Sequence, residues 1–138
     1  MRVAFGSDDE NDTTRAVVRA LVDGGYEVVR PAQSPSWPGL GRSVGLAVAE
    51  GRADYGVVMC WTGTGTAIAA NKVPGVRAAL AWDPWIARGA RLWNDANVLA
   101  MSLKRLAPDV AVEVLEAFLT TTAPDPDEAA NIAELDRP

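Results

Sequence analysis

Short apolar runs alternate along the chain with stretches in which apolar side chains recur every three to four residues. The runs are Arg2–Phe5, Tyr26–Val29, Tyr55–Cys60, Val76–Leu80 and Asn97–Met101, and they read as strands buried on both faces. Between them, Ala16, Val17, Ala20 and Leu21 fall at helical spacing until Gly24-Gly25 stops the helix. Val44, Leu46, Ala47 and Val48 mark a second helix, ended by Glu50-Gly51, and Thr64–Asn71 a third. Asp83 can cap a fourth helix running to about Leu92, with Pro84 at its first position, where proline is tolerated. A fifth covers Asp109–Leu119, and Ala129–Leu135 is a short last helix in the tail. The Pro- and Ser-rich segment from Pro31 to Gly39 reads as a loop, and Pro74-Gly75 as a turn. Strands alternating with helices at this spacing predict an α/β fold, a three-layer arrangement around a five-stranded parallel sheet. Strand order is not readable from the pattern. No repeat or internal boundary appears, so residues 1–138 are expected to form one domain.

Composition narrows the partners. A net charge of −5 argues against a nucleic-acid surface or an anionic membrane as a general partner. One cysteine and no histidine exclude an intrachain disulfide and leave no plausible zinc set, so no metal is expected. With no apolar leader and no uninterrupted run of ~20 apolar residues, the expected location is the cytoplasm.

The one cysteine, Cys60, closes the third strand, where open α/β sheets place their ligands. The turn Trp61-Thr62-Gly63-Thr64-Gly65-Thr66 follows it and opens the third helix. Unpaired amides and a helix N-terminus lower a thiol's pKa, and glycines let the backbone approach an oxygen-rich ligand. The turn is neither a Walker loop nor a dinucleotide fingerprint, so a nucleotide cofactor is disfavoured. A lone cysteine ending an apolar strand is also an ordinary small core residue, and the residues alone leave the two readings about even. If the first and third strands are neighbours, Asp8 comes beside Cys60 and can pass a proton between adjacent hydroxyls. Asp8-Asp9-Glu10 is equally readable as a solvated helix entry. Asn94, Asp95 and Asn97, before the fifth strand, are also ordinary turn formers.

Taken together, Gly6-Ser7-Asp8, Cys60-x-Thr62-Gly63-x-Gly65, the run Ile68-Ala69-Ala70-Asn71-Lys72-Val73-Pro74-Gly75-Val76-Arg77-Ala78-Ala79-Leu80, and Asn94-Asp95-Ala96-Asn97-Val98-Leu99 resemble the type B ribose-5-phosphate isomerases. That family includes the galactose-6-phosphate isomerase subunits, and the resemblance stays in register to about residue 120. It implies a Rossmann-like sheet, no cofactor, and a homodimer, with pairing to a tetramer left open, whose sites lie across the subunit interface. The tail from about residue 120 would then pack on the partner. By position, Cys60 resembles the base that forms a cis-enediolate, and the amides of the turn, Gly63, Thr64 and Gly65 among them, would hold its oxygen. Thr62 falls on a threonine assisting at the thiol or ring oxygen, Asp8 on an aspartate binding sugar hydroxyls, and Asn94 on a substrate-contacting asparagine.

The departures shape the expected function. Asp9 stands where the family usually has histidine, Trp61 where it has glycine, and Trp93 where it has the histidine that opens the furanose ring. The tail places Asp127 and Glu128 where phosphate-clamping arginines are expected, and Arg137 is its one basic residue. The expectation is an aldose–ketose isomerase for a sugar or sugar derivative other than ribose 5-phosphate, one that lacks a phosphate or is largely open-chain in water, using Cys60, Thr62 and Asp8. Asp9, Trp61, Gly63, Thr64, Gly65, Trp93 and Asn94 would contact that sugar. Trp61 and Trp93 are equally candidates for core or interface aromatics. Two alternatives stay open: a non-catalytic sugar-binding relative, and a ribose-5-phosphate isomerase with relocated anion-binding groups. For relocated groups, or a sugar acid's carboxylate, Arg42, Arg88 and Arg91 are the basic residues in sight.

Overall fold

The computed structural model describes residues 1–31 and 34–137. Its strands are β1 (Arg2–Ser7), β2 (Glu27–Val29), β3 (Tyr55–Cys60), β4 (Ala78–Leu80) and β5 (Val98–Ser102). The helices are α1 (Asp12–Asp23), α2 (Trp37–Ala49), α3 (Thr64–Asn71), α4 (Pro84–Asn94), α5 (Pro108–Thr120) and α6 (Ala129–Leu135). All strand pairs are parallel, in the order β2-β1-β3-β5-β4. The expected α/β architecture is therefore present, and β1 and β3 are neighbours, with Ser7 opposite Met59.

Successive residues of β3 feed opposite faces, which is why the strand reads as an unbroken apolar run. Val57 and Met59 join Leu21, Leu115 and Phe118 under α1, α4 and α5. Val58 joins Val44, Ala47 and Ala70 under α2 and α3. The second layer is built from smaller side chains and lets backbones approach closely. A Cβ on Gly41 of α2 would sit 2.8 Å from the Thr66 carbonyl. This contact sets the start of α3 against α2, and with it the turn after Cys60.

The pattern misjudged one helix start. Part of the segment read as a loop is the first turn of α2, where Ser36 is the N-cap, its hydroxyl accepting from the Gly39 amide, with Pro38 in the first turn. Ser-Trp-Pro is a helix entry, because proline's missing N–H is needed by nothing there. Ala32 and Gln33 of that segment, and Pro138 of the tail, lie outside the described residues.

At the N-terminal ends of the strands a polar lock closes the fold. Arg91, 2 % exposed, donates to Asp95 at 2.8 Å, to the carbonyls of Ala96 and Thr121, and to the Tyr55 hydroxyl. Arg77 reaches the other Asp95 oxygen at 3.0 Å and also pairs with Asp136. Asn97 accepts from the Arg77 amide and donates to the Gly75 carbonyl, while Asn71 brackets Ala78 of β4 with both ends of its amide. Asp95 caps α4 with φ 46, a left-handed conformation that these two arginines hold in place.

Candidate active site

Cys60 ends β3 opposite Ser102 of β5, and the chain then turns through Gly63 at φ 78. A side chain there would be strained by that φ and would meet the Met101 backbone at 2.8 Å, so only glycine lets the turn fold back over the thiol. The result is a sulfur ringed by donors: the Gly63 amide at 3.1 Å and the Thr66 hydroxyl at 3.4 Å. Burial, the largest single influence, pushes the Cys60 thiol up. Opposing it, the Thr66 hydroxyl and the amides of Thr66, Gly63 and Thr62 bring the thiol below its ordinary value. The hydroxyl that reaches the thiol belongs to Thr66, whereas Thr62 is exposed and pairs with the Thr64 hydroxyl at 2.7 Å. Gly65 leaves room for the Trp37 ring, which a Cβ would meet at 2.9 Å, and that ring flanks the turn.

Asp8 follows β1 directly and its amide donates to the Met59 carbonyl at 3.3 Å, which sets it beside the end of β3. Partial burial, then the neighbouring Asp9 charge, raises the Asp8 pKa. Asp9 moves the other way, because it accepts the Glu10 amide at 2.8 Å and the Trp61 indole N–H at 3.2 Å. Trp61 is exposed, and Lys104 of the β5–α5 loop lies 4.7 Å from its ring centroid. Trp61 therefore ties together the three loops that end β1, β3 and β5.

A thiol with a lowered pKa, a carboxyl with a raised one, and a ring of amides is a kit for moving protons on a small oxygenated molecule. Comparison with known proteins gives the family. A family model described as Ribose/Galactose Isomerase matches residues 3–135. The chain belongs to this family.

It is 35% identical over 123 residues to ribose-5-phosphate isomerase B of Escherichia coli K12, covering 86% of this chain and 83% of that one. Over 94 residues it is 36% identical to D-erythrulose-4-phosphate isomerase of Pectobacterium atrosepticum, covering 68% of this chain and 62% of the relative. The ribose-5-phosphate isomerase B structure from Clostridium thermocellum superposes with a TM-score of 0.91 at 33% identity, covering 99% of this chain and 95% of that one. Family membership places the chain among the aldose–ketose isomerases, whose named relatives act on sugar phosphates.

Within the family site as read from sequence, Trp93 and Asn94 stand apart. They end α4, which runs back along the sheet to the strands' N-terminal ends. Val98, which opens β5, pairs with Gly56, four residues before Cys60, and that is roughly 13 Å of strand. Within one chain these two residues do not join Cys60. The Trp93 ring instead folds over Gly89 to meet the Trp85 ring at 5.4 Å.

Arg91, offered above as an anion partner, is enclosed in the structural lock and has no free donor face. The tail lies along α4 of its own chain, with the Asp125 amide on the Leu92 carbonyl at 2.8 Å. Thr66, Lys104 and Trp37 escaped the sequence reading as individual side chains. Thr66 was readable, since i and i+6 across a tight turn can bring a hydroxyl back to a strand-end thiol. Nothing local signals Lys104, which arrives from 44 residues downstream of Cys60. Among the described residues no group of three or more Cys, Asp or Glu side chains is arranged to hold a metal ion. Among the described residues no helix is long and apolar enough to cross a membrane.

Proposed function

We propose that the protein interconverts an aldose and a ketose through a cis-enediolate, with Cys60 as the base, on a sugar that is open-chain in water. The Cys60 thiolate takes the proton from C2 of the aldose, and the C–H electrons form the C1–C2 double bond as the carbonyl oxygen gains charge. The thiol returns the proton to C1, and the Asp8 carboxyl carries a proton between O2 and O1, so that the ketose leaves with the enzyme unchanged. The amides of Thr64 and Gly65, at the start of α3, meet the developing oxyanion, while the Gly63 amide stays on the sulfur. The observation that carries this reading is the donor ring around the Cys60 sulfur, which brings the thiol below its ordinary pKa and so raises its thiolate share.

The absence of histidine supports the substrate class. A pentose phosphate must have its furanose ring opened before C2 can lose a proton. A tetrose whose 4-hydroxyl is esterified has no hydroxyl left to close that ring, so it needs no opening acid. The named D-erythrulose-4-phosphate isomerase among the relatives makes a four-carbon, 4-substituted sugar the favoured choice.

The working unit is a homodimer. Ile68 of α3 and Trp82, Trp85 and Trp93 beside edge strand β4 are exposed apolar side chains flanking one edge of the sheet. A second copy packed there would carry its own Trp93 and Asn94 toward the Cys60 turn. Solvent-deuterium exchange into D-erythrose 4-phosphate, D-erythrulose 4-phosphate and ribose 5-phosphate tests the reaction. Exchange at carbon with the tetroses, abolished by Cys60→Ser, is the expected result. No exchange into any of the three would point to the sugar-binding alternative, and full exchange by Cys60→Ser would remove the base.

A further inference from the structure

A cleft of about 630 Å³ opens on the side of β1 away from β3, and of its lining the mechanism above uses Asp8 alone. Its floor is apolar, with Phe5, Val18 and Leu40, and one wall is the loop that carries the carboxylates of Asp8, Asp9 and Glu10. The facing wall is basic. Arg15 and Arg19 project one turn apart from α1, and Arg30 comes from the end of β2 with its guanidinium 4.8 Å from the Phe5 ring centroid. Arg15 is engaged by Asp12 at 2.7 Å and Glu10 at 3.4 Å. Arg19 and Arg30 form no ion pair among the described residues.

Two guanidiniums with no ion pair among the described residues, lining one apolar-floored cleft opposite its carboxylate loop, differ from a solvated helix face. Stacking on Phe5 holds Arg30 in the cleft before any ligand arrives, so less side-chain freedom is lost on binding. Asp8 belongs to both places, lining the cleft and standing beside the end of β3. Arg30 leaves the end of β2, two strand spacings or about 10 Å from the strand of the thiol, and its side chain reaches back over Phe5 of the strand between them.

We infer that Arg19 and Arg30 hold the terminal oxyanion, a phosphate ester or sulfonate, of the sugar whose hydroxyls meet Asp8. Guanidinium forks match the oxygens of such groups. The inference rests on the isomerase reading for the identity of the sugar, and it answers the acidic tail, where Arg137 is the one basic residue. It also makes anion binding a property of the same chain that carries Cys60, in place of a contribution from a partner's tail.

Two measurements on the full chain test it. Inorganic phosphate is titrated calorimetrically into the wild type, into the Arg19→Gln/Arg30→Gln double variant, and into Arg42→Gln, an exposed arginine of α2 outside the cleft. Phosphate affinity is expected to fall about tenfold or more in the double variant alone. Steady-state kinetics then compare D-erythrose 4-phosphate with 4-deoxy-D-erythrose, which has neither a phosphate nor a hydroxyl with which to close a furanose ring. The double variant is expected to raise KM for the phosphate ester by a similar factor and to leave turnover of 4-deoxy-D-erythrose unchanged. Phosphate affinity retained in the double variant overturns the site, and phosphate affinity lost with KM unmoved overturns its assignment to the substrate. If the wild type turns over neither sugar, the isomerase reading fails while the phosphate titration still decides the anion site.

Discussion

The two ends of the sheet are both rich in polar residues, and they are organised in opposite ways. At the N-terminal ends of the strands, Arg91, Arg77, Asp95, Asn97 and Asn71 satisfy one another and the surrounding carbonyls, and Arg91 is buried in the process. At the C-terminal ends the donors of the Thr62–Thr66 turn converge on a thiol, Asp8 is only partly covered, and Arg19 and Arg30 make no ion pair among the described residues. Charge whose partners are already present closes a fold, while charge left without them is available to a ligand. Several of the residues that most strongly resemble the family, Asn71, Arg77, Asp95 and Asn97, therefore belong to the lock and not to the chemistry.

Four substitutions would break or sharpen that contrast. Cys60→Ser should leave the fold intact by circular dichroism and lower turnover of a responsive tetrose phosphate by roughly 10³-fold, the range of a lost general base. Arg91→Ala should do the reverse. It leaves the Ala96 and Thr121 carbonyls without their donor and Asp95 with Arg77 alone, with an expected loss of about 3 kcal/mol in urea unfolding, at the low end for a broken buried pair because Asp95 is 31% exposed and keeps one partner. An Arg91→Ala protein as stable as the wild type would mean that the lock is ornamental.

Thr66→Val removes the hydroxyl on the sulfur while keeping the shape, at an expected cost of about tenfold in rate. The thiolate is the reactive form, so alkylation by iodoacetamide rises with pH through the Cys60 pKa and is lost below it. The hydroxyl lowers that pKa, so the midpoint of the profile should move to higher pH in Thr66→Val. An unmoved midpoint would leave the backbone amides as the whole cause. Smallest of all, Trp61→Phe keeps a ring beside Lys104 and deletes the indole donor to Asp9. The Asp9 carboxyl should then titrate nearer its ordinary value by NMR, and KM should change by only about two- to threefold.

Much of this architecture was legible in the chain. The spans Tyr55–Cys60 and Thr64–Asn71 stand as read, because β3 is buried on both faces and α3 is bounded by a glycine turn and a Pro-Gly. Boundaries slipped where distant groups decide them. The α4 helix runs two residues beyond Leu92 to Asn94, since Asp95 is held left-handed by Arg77 and Arg91. Of the site, Cys60, its glycine turn and Asp8 were readable as strand-end residues. Thr66, Lys104 and the arginine cleft were not singled out, since an exposed arginine on a helix carries no local sign of what it faces.

The sequence by itself determined the elements, the α/β class, the place of Cys60 at a strand end and the absence of a histidine acid. These depend on side-chain periodicity and on residue types, which are local. Only the tertiary structure decided that β1 lies against β3, that Arg91 faces inward, and that Trp93 and Asn94 end α4 at the opposite ends of the strands from Cys60. Those facts follow from strand order and from which charges find partners across long separations, and no stretch of chain contains that information on its own.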